Sequence, residues 1–420
     1  MKIFFSVGEP SGDIHGANLI RALQKIDPTV EAVGYGGPEM ASAGCRLHAD
    51  LTALAVMWIA RVLVNLHKFL GLLSRADRYF RHHRPDAVVL IDYPGFNWWI
   101  ARRAKAHGIP VFYYVPPQIW AWGSWRIRKM RRYVDHVLCA LPFETHWFQE
   151  RGCNAVFVGH PFFDEVRRHE LDADFVASYY DPRHPLVAIL PGSRTQEVSQ
   201  NLKYFLEASR LVSIQVPSAR FAVACYKPAH ADMAREMIRE EGLSMDVFVR
   251  KTPELIRLAE CCISVSGSVS IELLYHTKPT VIFYRLNRAA DRIHKWFVKV
   301  KYITLVNLLV SREPFAGRSS STVGVDTEAE EILFPEYLTS HDKSLEIALH
   351  VVGWLSDSAL RQKLIDRLKK LKDEVAHGGS SAKAAAYIAS AVRPQPNKIP
   401  RPHFLPSAKP PEPQIKNSAA

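Results

Sequence analysis

Short apolar runs, punctuated by polar and glycine-rich stretches, set the organisation of the chain. Segments 3–7 (IFFSV), 32–36 (AVGYG), 87–92 (AVVLID), 111–115 (VFYYV), 136–141 (HVLCAL) and 155–159 (AVFVG) are rich in β-branched and aromatic residues. Several run apolar without alternating with polar positions, which reads as strands covered on both faces of a parallel sheet. Helical periodicity lies between several of them. One example, WWIARRAKAHG (98–108), stops on Gly108, the residue type that closes a helix in the left-handed conformation. After DPRHP (181–185) the pattern restarts with 185–194, 219–226, 246–251, 261–268 and 280–285, and helical patterns resume at 340–354 and 358–391. The expectation is an α/β protein of two Rossmann-like βα domains, 1–170 and 185–355, joined near 165–185. C-terminal helices over 356–391 and a Pro-rich disordered tail over 392–420 follow. The apolar stretch 53–73 departs from this pattern. Arg61, Asn65 and Lys68 draw one thin polar stripe along it, which suits a buried helix or one lying in a membrane interface.

In doubly wound sheets ligands sit beyond the carboxyl ends of the strands, so the loops there carry the candidate chemistry. GEPSGDIHGA (8–17) follows the first strand. Its glycines are spaced by four, unlike the dinucleotide fingerprint, and no Lys-Ser/Thr pair follows Gly12 as a phosphate loop requires. It offers Glu9, Ser11, Asp13 and His15, either as a polar substrate wall or, for Ser11 and Asp13, as helix caps. LIDYPGFN (90–97) places Asp92 at the end of a buried strand, where a carboxylate is costly unless paired or used. Asp92 reads as a turn former or as a general base. In LPGSRTQEV (190–198), Gly192 permits close backbone approach beside Ser193 and a new helix starts near Thr195–Glu197. Arg194 there can pair with a diphosphate. SVSGSVSIELL (264–274) sets the small residues Ser266, Gly267 and Ser268 before Glu272, which either accepts ribose hydroxyls or answers the helix dipole. The last two loops together describe a nucleotide-diphosphate site in the second domain.

A net charge of +12 adds a preference for anionic partners, whether phosphorylated small molecules, a membrane surface or nucleic acid; no RNA-binding signature accompanies it. The six cysteines form no CxxC pair, which points to reduced thiols and no zinc site. No signal-peptide pattern fits the N-terminus. Segment 291–302 mixes His294, Lys295, Lys299 and Lys301 with Trp296, Phe297 and Tyr302, as an anionic interface would favour.

SVGEPSGDIHGANLIRAL (6–23), GGPEMASAGC (36–45), PDAVVLIDYPGFN (85–97), YYVPPQIWAWG (113–123), LPFE (141–144), VGHP (158–161), LPGSRTQEV and VSGSVSIELL occur in this order. On these motifs, from residue 1 to 390, the chain resembles the lipid-A-disaccharide synthases, inverting glycosyltransferases of the GT-B fold. The resemblance implies transfer from UDP-2,3-diacylglucosamine to 2,3-diacylglucosamine 1-phosphate, giving the β-1,6 disaccharide 1-phosphate and UDP without cofactor or metal. It implies Asp92 as general base, with Glu9 in the reaction centre and Ser11, Asp13 and His15 toward the acceptor. Gly192, Ser193, Arg194, Glu197, Ser266, Gly267, Ser268, Glu272 and Asn307 would serve the nucleotide. It also implies a cytoplasmic enzyme peripheral on the anionic inner membrane, allows a homodimer, and gives no role to nucleic acid. The departures are Val306 in place of a proline, Thr339 in place of a glutamine, and Trp58, Ala60 and Arg61 in the apolar helix. Rival readings are another GT-B UDP-sugar transferase or epimerase, and a non-catalytic membrane- or RNA-binding scaffold.

Overall fold

A computed structural model of the chain describes residues 1–55, 66–287, 300–316 and 332–392. Residues 56–65 of the 53–73 segment, with Trp58, Ala60 and Arg61, and 291–299 of the 291–302 segment lie outside the described residues, as does the expected tail beyond Val392. The first domain is a sheet of β1 (Lys2–Val7), β2 (Glu31–Gly36), β3 (Arg46–Asp50), β4 (Ala87–Ile91), β5 (Val111–Tyr114), β6 (His136–Cys139) and β7 (Ala155–Phe157), in the order β3-β2-β1-β4-β5-β6-β7. The second holds β8 (Leu186–Leu190), β9 (Arg220–Cys225), β10 (Asp246–Val249), β11 (Cys261–Ser264), β12 (Thr280–Arg285) and β13 (Glu336–Thr339), ordered β10-β9-β8-β11-β12-β13. The pairings are parallel throughout both sheets.

The apolar runs do what their lack of alternation predicts. Along β1 and β4, Phe4, Val88 and Leu90 pack with Phe69, Ala76 and Phe80 of helix Leu66–His83 and with Ile100 of helix Pro94–Ala106. Ile3, Phe5, Val89 and Ile91 point the other way, against Leu19 and Ile20 of helix Pro10–Ile26 and Ile388 of helix Ser380–Val392. Each such side chain contributes roughly 1.5–3 kcal/mol on full burial, and a strand buried on both sides has no polar face to show.

Two strands were not expected from the sequence, and both are sheet edges. β3 (RLHAD) is half-exposed and holds a single large aliphatic residue, Leu47. β13 (EYLT) is four residues long and begins on a buried glutamate. The half-exposed β3 need not be apolar, and β13 is buried but too short, with Glu336 satisfied by hydrogen bonds, to show a pattern. The two helices over the 356–391 stretch divide between the domains. Leu368 and Leu371 of helix Ser358–Val375 join the second domain's core, while Ala384, Ala385 and Ile388 of helix Ser380–Val392 join the first. The break falls at Gly378 and Gly379, the latter at φ +89°. The junction near 165–185 is also no loose linker, since helices Pro161–Arg168 and Ala173–Tyr179 occupy it.

Candidate active site

Both sheets reverse direction between their first and fourth strands, β1 and β4 in one, β8 and β11 in the other. Those switch points are where loops diverge and leave a crevice, and the four candidate loops follow these four strands.

On the first-domain wall, Asp92 follows β4 with φ +48° and Tyr93 has φ +42°. A left-handed residue of this kind costs on the order of 1–3 kcal/mol and persists only where the surroundings over-determine it. Asn97 does this. Buried from solvent, its Nδ2 donates to the carbonyls of Ser6, Ile91 and Asp92 at 3.1, 3.1 and 2.8 Å, and Ser6 Oγ donates to its Oδ1. Tyr113 adds a hydroxyl donated to the Asp92 carbonyl at 2.7 Å. The backbone is thus held by its neighbours and the carboxylate is left to the cleft. Gly12 lets the opposing helix come close: a Cβ there would lie 3.2 Å from Asp92 Oδ2. Burial first, then Glu9, then Glu144 push the Asp92 carboxyl up to about 7. Glu144 is itself raised to about 7 by burial, and accepts hydrogen bonds from Trp120 Nε1 and the Ala140 amide.

Glu9 and Ser11 are exposed, and Ser11 lines the cleft. His15 is buried, with no partner for Nδ1 among the described residues. Burial and the nearby His160 push it down to about 3, and burial pushes His160 down to about 4, so both rings are neutral at physiological pH. Asp13 differs from the expectation of a cleft residue. Its carboxylate is buried and accepts from the amides of Gly37, Glu39 and Met40 at 2.8, 2.9 and 3.1 Å. It caps the start of helix Pro38–Ser42 rather than its own helix, satisfying orphan N–H groups.

On the second-domain wall, Gly192 sits at φ +112°, and a Cβ there would fall 2.5 Å from Glu197 Oε2. The loop wraps around Glu197, which is buried and accepts from the Ser193 and Arg194 amides and from Arg194 Nη1 at 2.9 Å. Glu197 therefore shapes the loop and is not itself presented to a ligand. The Arg194 side chain stays 76% exposed. Ser266 Oγ donates to the Ile303 carbonyl, and the Cβ position of Gly267 faces open space. Glu272 is buried and raised to about 7 by burial, Glu165 and Glu254, in that order. Asn307 is fully buried and bonds to Phe334 and Glu336, while Glu336 receives the amides of Ile303 and Thr304. Asn307 and Glu336 therefore hold the segment behind Ser266, and Thr339 Oγ1 accepts from the His341 amide nearby.

One cavity of about 400 Å³ lies between the walls. Ser11, His15 and Asp92 line it from the first domain, and Ser266, Gly267 and Ser268 from the second. Glu9, Asp13, the Gly192–Glu197 loop, Glu272 and Asn307 are not among its lining residues. The sequence assigned no place in the cleft to His160, Trp120 or Tyr302, which do line it. His160 and Trp120 lie in VGHP and WAWG, motifs whose place in the sequence was noticed; Tyr302 carried no signal beyond its basic-aromatic surroundings. Chemically, the cavity sets a carboxyl poised between ionised and neutral opposite small residues that admit an anion.

Comparison with known proteins agrees with this layout. Residues 3–339 match the family model for lipid-A-disaccharide synthetase. The chain is 33% identical over 393 residues to the lipid-A-disaccharide synthase of Trichlorobacter lovleyi, covering 93% of this chain and 97% of that one. It is 31% identical to that of Coxiella burnetii, covering 92% and 97%. Among solved structures, the UDP-GlcNAc 2-epimerase of Neisseria meningitidis bound to UDP-GlcNAc superposes with a TM-score of 0.60 at 11% identity, covering 93% of this chain and 100% of that one. MurG of Acinetobacter baumannii does so at 0.53 and 12%, covering 93% and 99%. These distant likenesses show the fold alone, two facing Rossmann-like domains. The family-model match over most of its length and the relatives at 31–33% identity place the chain in the lipid-A-disaccharide synthase family of glycosyltransferases.

Proposed function

We propose that Asp92 is the general base of an inverting transfer. In it, the 6-hydroxyl of 2,3-diacylglucosamine 1-phosphate attacks the anomeric carbon of UDP-2,3-diacylglucosamine. The new C–O bond forms as the bond to the diphosphate breaks, the hydroxyl proton passes to Asp92, and UDP leaves. The observation that carries this reading is the single cavity shared by Asp92 and the Ser266–Ser268 loop. A carboxyl at about 7 is ionised often enough to accept a proton and basic enough to keep it. Arg194, exposed beyond its pair with Glu197, and the amides of the Ser266–Ser268 loop meet the charge that builds on the leaving diphosphate. Glu9 tunes Asp92 by its charge, Ser11 and His15 face the acceptor, and Glu197, Glu272 and Asn307 support the nucleotide side.

The substrates are lipids, and the enzyme works as a peripheral protein on an anionic cytoplasmic membrane face. The +12 charge and the exposed Trp99, Trp122 and Trp125 support this. Among the described residues no helix is long and apolar enough to cross a membrane. High salt is expected to release it from membranes; full retention in the pellet would contradict this. A homodimer exchanging C-terminal parts would move helix Ser380–Val392, which here packs on its own chain's first domain. The deciding experiment is incubation with both lipid substrates and mass detection of the disaccharide, whose formation Asp92→Asn should slow by about 10²–10⁴-fold while leaving UDP binding intact.

A further inference from the structure

A second cavity, of about 660 Å³, adjoins the reaction cleft and shares Trp120 with it. This falls within the ~300–1,000 Å³ usual for small-molecule sites. Trp125, Ile127, Trp147 and Phe315 complete an apolar lining. Phe315, from the second half of the chain, stands 6.1 Å from the Trp120 ring and 6.4 Å from Trp147. The polar groups on this cavity are Ser124 and two guanidinium groups. Arg151 stacks on Trp147 at 4.3 Å and pairs with Glu150, whereas Arg128 is exposed with no ion pair among the described residues. The segment from Trp120 to Tyr133 holds Arg126, Arg128, Lys129, Arg131 and Arg132 and no carboxylate. Glu144 lies beneath it, bound to Trp120.

An apolar chamber opening beside a reaction centre, with a free cation at its edge, fits one kind of occupant: an acyl chain whose headgroup carries a phosphate. We infer that this cavity is the acyl-chain subsite for the acceptor lipid, that Arg128 meets the acceptor's phosphate, and that Trp120 divides the chain's chamber from the reacting sugar. The inference rests on the transferase reading and adds the place where the acceptor's lipid is held. The exposed Trp122 and Trp125, with Arg126 over Trp122 at 4.3 Å, put a membrane-favouring rim beside the cavity. An acyl chain would then enter from the bilayer without crossing water.

The test uses the full-length protein and lysophosphatidic acids bearing octanoyl, dodecanoyl or palmitoyl chains, with monoacylglycerol and inorganic phosphate as separate arms. Wild type should bind the longer-chain phosphates more tightly. Ile127→Trp, which fills the chamber, should weaken the palmitoyl probe at least tenfold and the octanoyl probe less. Arg128→Ala should weaken the phosphate-bearing probes and leave monoacylglycerol unchanged. UDP affinity should stay at the wild-type value in both variants, which reports an intact fold; Trp125→Glu, at an exposed position, serves as the replacement should Ile127→Trp fail to fold. Equal affinities across chain lengths, or variants that change none of them, would overturn the subsite. Chain-length-dependent binding without disaccharide formation would leave the subsite standing and overturn the transferase reading. Disaccharide formation with an acceptor KM untouched by Ile127→Trp would do the reverse.

Discussion

The two domains repeat one strand order around their switch points, yet the loops there do opposite electrostatic work. After β1 and β4 the first domain gathers carboxyls: Glu9, Asp92 and, underneath, Glu144, each raising the cost of ionising the central one. After β8 and β11 the second presents glycine, serine and an unburied arginine, while Glu197 is consumed inside its loop and Glu272 is buried away from the cavity lining. In the proposed reaction the same architecture would supply a proton acceptor on one side and an anion receiver on the other. Backbone topology places the loops and local side chains decide the chemistry.

This contrast is broken most sharply by Asp92→Asn. It should lower kcat by about 10²–10⁴-fold, the usual range for a lost general base, and leave the UDP dissociation constant unchanged by calorimetry. Because the carboxyl's folded pKa is raised, its protonated form stabilises the fold, and that contribution is lost as pH climbs from the ordinary carboxylate range through about 7. The asparagine variant should accordingly have the higher melting temperature above neutral pH. On the other wall, Arg194→Ala should weaken UDP by on the order of 1.5–3 kcal/mol, as expected for a charged hydrogen bond; an unchanged constant would remove Arg194 from the site. Gly192→Ala drives a Cβ into Glu197 and should destabilise the protein by about 1–3 kcal/mol, read as a shift in denaturation midpoint, together with weaker UDP binding. The smallest effect is expected from Glu9→Gln. Removing that neighbouring charge should move the acidic limb of kcat/KM, set near pH 7 by Asp92, to lower pH by a fraction of a unit with little change in the plateau. A limb that stays in place would mean Glu9 does not tune the base.

Much of this was legible from the pattern of residues because buried parallel strands advertise themselves. IFFSV and AVVLI admit little else, and the loops that follow them are located once they are. What stayed hidden was hidden for physical reasons. β3 is half-exposed and need not be apolar, and β13 is too short to show a pattern. Asp13 looked like a cleft acid because its sequence neighbours are cleft residues, but its partners lie more than twenty residues away at Gly37, Glu39 and Met40. Glu197 sits in the loop expected to serve a nucleotide and faces inward. The role of Asn307 depends on Leu333, Phe334 and Glu336, distant in sequence and invisible to any local motif. The division of the C-terminal helices between two cores likewise follows from where Gly378 and Gly379 let the chain turn.

The chain passes between domains at helix Pro161–Arg168 and again at Gly379, and Asp164 fastens the two passages together by accepting the amides of Gly379 and Ser381. Two separated crossings would act as a door on two pins, confined to one axis. Crossings bound at one carboxylate leave a single point of attachment instead. Any rocking of the domains would turn about Asp164 and be felt most at the far rim of the cleft, where a lipid enters and a disaccharide leaves.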